Sequence, residues 1–174
     1  MLVALLRGVN VGGRNRLPMG PLREALTGSG VVSVRTYLQS GNVVGEHADP
    51  VRFGTLVRDV IASDFGLDIP VIVRSHEELQ AVLAWNPFPG PAVEKPKLVH
   101  VSFLAETPDP ERLAVLEELE SDDDEWAIRG KDLVVSYDRA SHDSPLGRGI
   151  AKVLGVGVTA RNWSTVEALA ELTR

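Results

Sequence analysis

Stretches patterned as strands and as helices follow one another along the 174 residues in the order β-α-β-β-α-β, and the same order returns in the second half of the chain. The segments 69–84 (IPVIVRSHEELQAVLA) and 156–171 (VGVTARNWSTVEALAE) also match in kind at the same offset. Together these patterns predict an α+β protein made of two ferredoxin-like βαββαβ halves, each followed by an extra helix. The first half with its trailing helix is expected over 1–85, a Pro-rich connection over 86–96, and the second half with its trailing helix over 97–174.

Each element has its own signal. Residues 2–6, Leu-Val-Ala-Leu-Leu, are continuously apolar, as expected of a strand buried on both faces, and Gly8, Gly12 and Gly13 end the run. Pro18 and Pro21 suit a helix first turn, and Leu22, Ala25 and Leu26 give that helix an apolar stripe. β-branched residues alternate through 31–39 until Ser40-Gly41-Asn42 interrupts them ahead of Val43 and Val44, the pattern of a hairpin. Asp49 is placed to cap, and Pro50 to open, a helix whose Phe53, Leu56, Val57, Val60 and Ile61 recur at helical spacing as far as Gly66. Residues 69–74 form the fourth strand, after which Ser75 and Glu78 make a capping box for a short helix through Ala84.

Four prolines and a glycine in 85–96 mark a stiff, turn-rich connection. Beyond it the order repeats: strand 97–104, helix 109–120, strand 125–129, a turn at Gly130, strand 132–137, helix 145–154, strand 157–161 and helix 163–173. In the internal match Arg74 answers Arg161, Ser75 answers Asn162 and Leu79 answers Val166. A four-stranded sheet with helices on one face leaves its other face bare, yet the first strand is apolar on both sides, so that second face needs a cover. The other half of the chain is the economical candidate and a homodimer the alternative.

Composition narrows the function classes. Hydrophobic residues at 44% and charged residues at 24% describe neither a disordered nor a membrane protein. No apolar run approaches the ~20 residues that span a bilayer, and the N-terminal apolar stretch is too short for a signal peptide, so a cytoplasmic protein is expected. Without cysteine, a disulfide framework and thiolate chemistry are excluded. The net charge of -6 is uneven: residues 1–45 carry Arg7, Arg14, Arg16, Arg23 and Arg35 against Glu24 alone, which leaves that stretch at +4 and the rest at -10. A basic stretch on an acidic chain fits a site for a small anion better than a nucleic-acid stripe.

The first candidate site is RGVNVGGRNR, residues 7–16. Its glycines can turn backbone amides toward an anion, and its arginines present forked donors suited to phosphate or carboxylate. It matches neither a P-loop nor a dinucleotide fingerprint. In a split βαβ unit the first two strands run the same way, so the loop after the first strand and the hairpin after the second emerge at one end of the sheet. Asn10, Arg14 and Asn15 should therefore lie near Gln39, Ser40 and Asn42, with Arg7 and the amides of Gly12 and Gly13 alongside. The competing interpretation is mutual bracing, in which these polar groups satisfy one another's turns. A secondary candidate is Arg161-Asn162-Trp163, where Asn162 is an N-cap by position and Trp163 is offered to a ligand or packed.

Other patterns carry little. Ser141-His142-Asp143 is a triad only on paper, because triads assemble from separated positions. His47, His76, His100 and His142 show no ligand spacing, so no metal site is expected. The acidic run 122–125 lacks EF-hand spacing and reads as a solvated loop, and the prolines of NPFPGP read as a linker.

The segments ALLRGVNVGG (4–13), VRTYLQSGNVV (34–44), FGLDIPVIVRS (65–75), NPFP (86–89) and TARNWSTVEAL (159–169) closely resemble a bacterial family catalogued as domain of unknown function 1697. The resemblance runs from the N-terminus to the last helix and implies a small cytosolic bacterial protein occurring as a stand-alone chain; it brings no established activity, substrate or cofactor. One departure lies at SHDSPLGRG (141–149), where the resemblance leads one to expect a more basic or aromatic Ser-Lys-Leu-like segment.

The functional expectation is therefore a protein that binds a small phosphorylated or carboxylated ligand through Arg7, Asn10, Gly12, Gly13, Arg14, Asn15, Gln39, Ser40 and Asn42. Catalysis and cofactor stay open, since no base is nominated by spacing. Two alternatives come from other classes: a nucleic-acid-binding sheet, for which Tyr37 is the main aromatic and the RNP pattern is missing, and a structural module that dimerises through a sheet face.

Overall fold

The computed structural model describes residues 1–119 and 123–174. The last residue of the helix expected over 109–120 and the first of the acidic run at 122–125 lie outside the described residues. The chain divides into two compact units, Met1–Ala81 with Ala168–Arg174, and Val82–Glu167.

The first unit holds β1 (Leu2–Leu6), α1 (Met19–Gly28), β2 (Val32–Tyr37), β3 (Asn42–Glu46), α2 (Pro50–Phe65), β4 (Val71–Ser75) and the start of α3 (His76–Trp85). Its sheet has the order β2-β3-β1-β4, and every neighbouring pair is antiparallel. This is the ferredoxin-like arrangement that the element order implied. All five residues of β1 are buried, which accounts for its unbroken apolar sequence. Leu2, Ala4 and Leu6 join Leu22 and Leu26 of α1 and Phe53, Val57 and Ile61 of α2 in one core. Burying each of the leucine, valine, isoleucine and phenylalanine side chains among them is worth about 1.5–3 kcal/mol.

Local chemistry sets the boundaries. The Asp49 side chain accepts hydrogen bonds from the amides of Val51 (2.9 Å) and Arg52 (3.1 Å) and so caps α2, which ends at Gly66 in a left-handed conformation (φ 65°). At the start of α3 the amide of Ser75 donates to Glu78 Oε2 (2.8 Å) while the Glu78 amide donates to Ser75 Oγ (3.2 Å), the reciprocal capping box expected there.

The second unit repeats the plan with α4 (Pro89–Glu94), β5 (Val99–Leu104), α5 (Pro110–Glu117), β6 (Glu125–Arg129), β7 (Asp132–Ser136), α6 (Pro145–Leu154), β8 (Val158–Asn162) and the first half of α7 (Trp163–Leu172). Its sheet order, β6-β7-β5-β8, corresponds strand for strand to the first. The register is conserved between the two sheets as well. Val3 faces Arg74 and Leu2 faces Ser75 in the first, while Val101 faces Arg161 and His100 faces Asn162 in the second. The Arg74–Arg161 and Ser75–Asn162 correspondences read from sequence thus hold in three dimensions. Within the Pro-rich segment, prolines near the start of α4 are compatible with a helix because the first-turn amides need no intrahelical partner.

Candidate functional site

The β1–β3 register pairs Leu5 with Asn42, and the β2–β3 register pairs Tyr37 with the same residue, so the C-terminal ends of β1 and β2 share one end of the sheet. The Leu6 amide donates to Gly41 O (2.9 Å) and the Arg7 amide to Pro70 O (3.1 Å), tying the start of the 7–18 loop to that rim. The duplicated half builds its rim in the same way: the Leu104 amide donates to Lys131 O (2.8 Å) and the Ala105 amide to Gly157 O (2.9 Å). There the chain passes from β5 to α5 through residues 105–109 alone, whereas residues 7–18 separate β1 from α1. The longer loop of the first half therefore exceeds what this connection requires.

The extra length forms a small hairpin arm. The Asn10 amide donates to Asn15 O (3.1 Å), Val11 bridges Arg14, and the Arg14 amide donates to Val11 O (3.0 Å). Gly12 (φ 56°) and Gly13 (φ 76°) occupy the two central positions, both left-handed, which defines a type I′ turn. A Cβ at either glycine would meet nothing within 4 Å, so glycine is needed there for backbone conformation and not for space. Both glycines are exposed at the tip of this turn.

Asn10 staples the base of the arm. Its Nδ2 donates to Leu17 O (2.9 Å) and to Gln39 O (2.9 Å), and its Oδ1 accepts from the Leu17 amide (2.9 Å). Asn15 Nδ2 donates to Gly8 O (3.1 Å). Within the facing hairpin, Asn42 is fully buried and its Nδ2 donates to Tyr37 O (2.7 Å) and Ser40 Oγ (3.2 Å). The expected meeting of Asn10 with the hairpin is present, but it runs to the main chain of Gln39. The carboxamides of Asn10, Asn15 and Asn42 thus perform bracing.

The guanidinium groups are arranged differently. Arg7, Arg14 and Arg16 are exposed, and among the described residues none of their side chains has a hydrogen-bond or carboxylate partner. Gln39, whose main chain receives the Asn10 bond, is exposed as well. Two further residues of this rim gave no signal in the sequence. Val11 is 64% exposed on the arm, and Leu38 is 53% exposed in the hairpin with a left-handed backbone (φ 57°). They adjoin Asn10 and Gln39, the two residues joined by the hydrogen bond between arm and hairpin.

At the secondary candidate, Asn162 Oδ1 accepts from the Thr165 amide (2.9 Å) and caps α7, as its position implied. Trp163 is only 3% exposed, so its ring is packed and not presented to solvent. Arg161 is buried, its Nη1 donating to Thr159 Oγ1 (2.9 Å) and Ala160 O (2.7 Å). Burial pushes its guanidinium down to about 10, which still leaves it charged at neutral pH. Ser141, His142 and Asp143 remain a local surface group: the His142 and Asp143 side chains lie 3.6 Å apart and are largely exposed.

The second unit holds a cavity of about 220 Å³ lined by residues including Glu94, Lys95, Asp123, Glu125, Tyr137 and Asp138. Its carboxylates make it unsuited to an anion. Burial, aided by the charge of Asp124, keeps the Tyr137 phenol protonated well above its usual range. Among the described residues, no group of three or more His, Asp or Glu is arranged to hold a metal ion, and no helix is long and apolar enough to cross a membrane.

A family model described as Protein of unknown function (DUF1697) matches residues 1–133. Among solved structures the chain is similar to that of conserved bacterial protein SP0830 from Streptococcus pneumoniae, at 22% sequence identity and a TM-score of 0.76, covering 99% of this chain and 98% of that one. At that identity the likeness shows the fold. No curated protein matches the chain.

Proposed function

We propose, for a chain that belongs to the family of proteins of unknown function DUF1697, that the rim formed by the 7–16 loop and the 38–42 hairpin binds a small phosphorylated or carboxylated ligand. The observation that carries this reading is the set of unpaired, exposed guanidinium groups of Arg7, Arg14 and Arg16 on a chain of net charge -6. An arginine near a carboxylate usually forms a pair, so three that do not are available to an external anion. They are carried on a loop more than twice as long as its counterpart in the duplicated half, a length that the fold does not need.

In this reading Arg7, Arg14 and Arg16 supply the charge, and the Gln39 carboxamide and the Gly12 and Gly13 amides add neutral donors. Asn10, Asn15, Ser40 and Asn42 hold the arm and the hairpin in place and act on the ligand only through that geometry. A nucleic-acid platform on the sheet face is less well supported, because β1 is buried along its whole length and offers no open surface for stacking.

The test is a thermal-shift and calorimetric titration with inorganic phosphate, sugar phosphates and citrate. The wild-type chain should be stabilised by at least one of them. Replacing Arg14 and Arg16 together with alanine should leave the unliganded melting temperature unchanged and weaken anion binding at least about tenfold, since a charge-assisted hydrogen bond contributes about 1.5–3 kcal/mol. No stabilisation by any of these anions, or an undiminished response in the double variant, would refute the assignment.

A further inference from the structure

Leu38 bears two costs. A bulky side chain in the left-handed region is disfavoured, and such positions normally fall to glycine or asparagine. Leu38 nevertheless adopts φ 57°, with 53% of its surface exposed to water. Either fact alone is unremarkable. Combined in one residue, at a tight hairpin bonded to the basic arm, they single out a side chain displayed outward. Val11, 64% exposed, lies on the other side of the Asn10–Gln39 bond, so two large apolar side chains flank the junction of arm and hairpin.

From this arrangement we infer that the ligand is an amphiphilic phosphate: an anionic phosphate head held by Arg7, Arg14 and Arg16, with an apolar chain or ring lying over Leu38 and Val11. The inference rests on the anion-binding reading of the same rim and specifies its ligand class. Charge favours phosphate over carboxylate, because a monocarboxylate brings one negative charge to three unpaired guanidiniums whereas a phosphate monoester brings about two at neutral pH. The exposed apolar pair gives the organic part of the ligand its contact. Free amphiphiles and the headgroups of anionic lipids share this chemistry.

The probes are inorganic phosphate, hexyl phosphate and hexanoate, titrated by calorimetry against the full chain. Hexyl phosphate should bind about tenfold more tightly than inorganic phosphate, the effect of covering roughly 50 Å² of apolar surface on Leu38 and Val11. Hexanoate should bind more weakly than hexyl phosphate. L38N is the informative variant, since asparagine tolerates the left-handed backbone and should fold at least as well as the wild type. It should retain its affinity for inorganic phosphate and lose the preference for the hexyl ester.

Equal affinity for phosphate and hexyl phosphate, or an unchanged preference in L38N, would overturn the inference while leaving anion binding intact. Failure of both inorganic phosphate and hexyl phosphate to bind would remove both readings. Sedimentation with phosphatidylcholine vesicles containing phosphatidic acid separates the sources. With hexyl phosphate bound as expected, vesicle retention that depends on Leu38 assigns the phosphate head to a lipid surface, and binding of the monomer without vesicle retention assigns it to a free ligand.

Discussion

Replacing Asn10 with alanine separates bracing from ligand binding, and its cost can be worked out bond by bond. The side chain makes three hydrogen bonds, two of them to the main chain of Leu17, which is 1% exposed, and one to Gln39 O in the hairpin. Each is worth about 1 kcal/mol net, and a shielded partner left unsatisfied costs more. Asn10 also sits at φ 55°, where an alanine adds about 1 kcal/mol of backbone strain. Water can replace the bond at the exposed hairpin carbonyl, so the expected loss is about 3 kcal/mol. Urea unfolding of the full chain, followed by far-ultraviolet circular dichroism, measures it. Asn10→Gly, which keeps the left-handed backbone free, should recover about 1 kcal/mol of that loss. A loss below about 0.5 kcal/mol for Asn10→Ala would show that the staple contributes nothing, because it falls beneath even one ordinary hydrogen bond. The arginine variants should behave in the opposite way, affecting the ligand and not the fold.

Two further outcomes test the scaffold. At Gly41 (φ 81°) a built Cβ overlaps Val9 Cγ2 and lies 2.8 Å from Leu6 Cβ, so Gly41→Ala should destabilise by about 2–4 kcal/mol in the same urea assay, a combination of overpacking and left-handed strain. Gly66→Ala, where the built Cβ meets nothing within 4 Å, should cost only the backbone strain of about 1 kcal/mol. His100 is held below the usual imidazole range, first by burial, against the opposing effect of its contact with Lys97 O (3.0 Å). The neutral ring is therefore favoured in the folded state, and the unfolded chain takes up the proton first as pH falls below about 6.5. Stability should drop on acidification through that point until the folded-state value is passed. His100→Phe should reduce that component of the acid slope, and an identical slope in the variant would exclude His100 as its source.

Much of this molecule was legible in its sequence because the signals are local. A capping side chain reaches amides two or three residues away, as Asp49 and Ser75 do, and the unbroken apolar run of β1 or the spacing in α2 needs only neighbours to be read. The order of elements then restricted the topology enough to bring the loop after β1 and the hairpin after β2 to one rim. The internal repeat was legible too, since equivalent registers select equivalent residue types, as with Arg74 and Arg161.

Which atoms meet at that rim was decided only by the tertiary structure. Asn10, Asn15, Asn42 and the arginines look alike as candidate donors in a polar loop, yet the amides are consumed by main-chain carbonyls while Arg7, Arg14 and Arg16 are left open. The outward display of Leu38 likewise has no local signature, and neither does the irregularity in β2 between Val32 and Arg35. The physical reason is one of range. Residue type and spacing encode what a backbone segment prefers, whereas the partner of a side chain 29 residues away, as Gln39 is from Asn10, exists only once two strands have paired and fixed the distance between them.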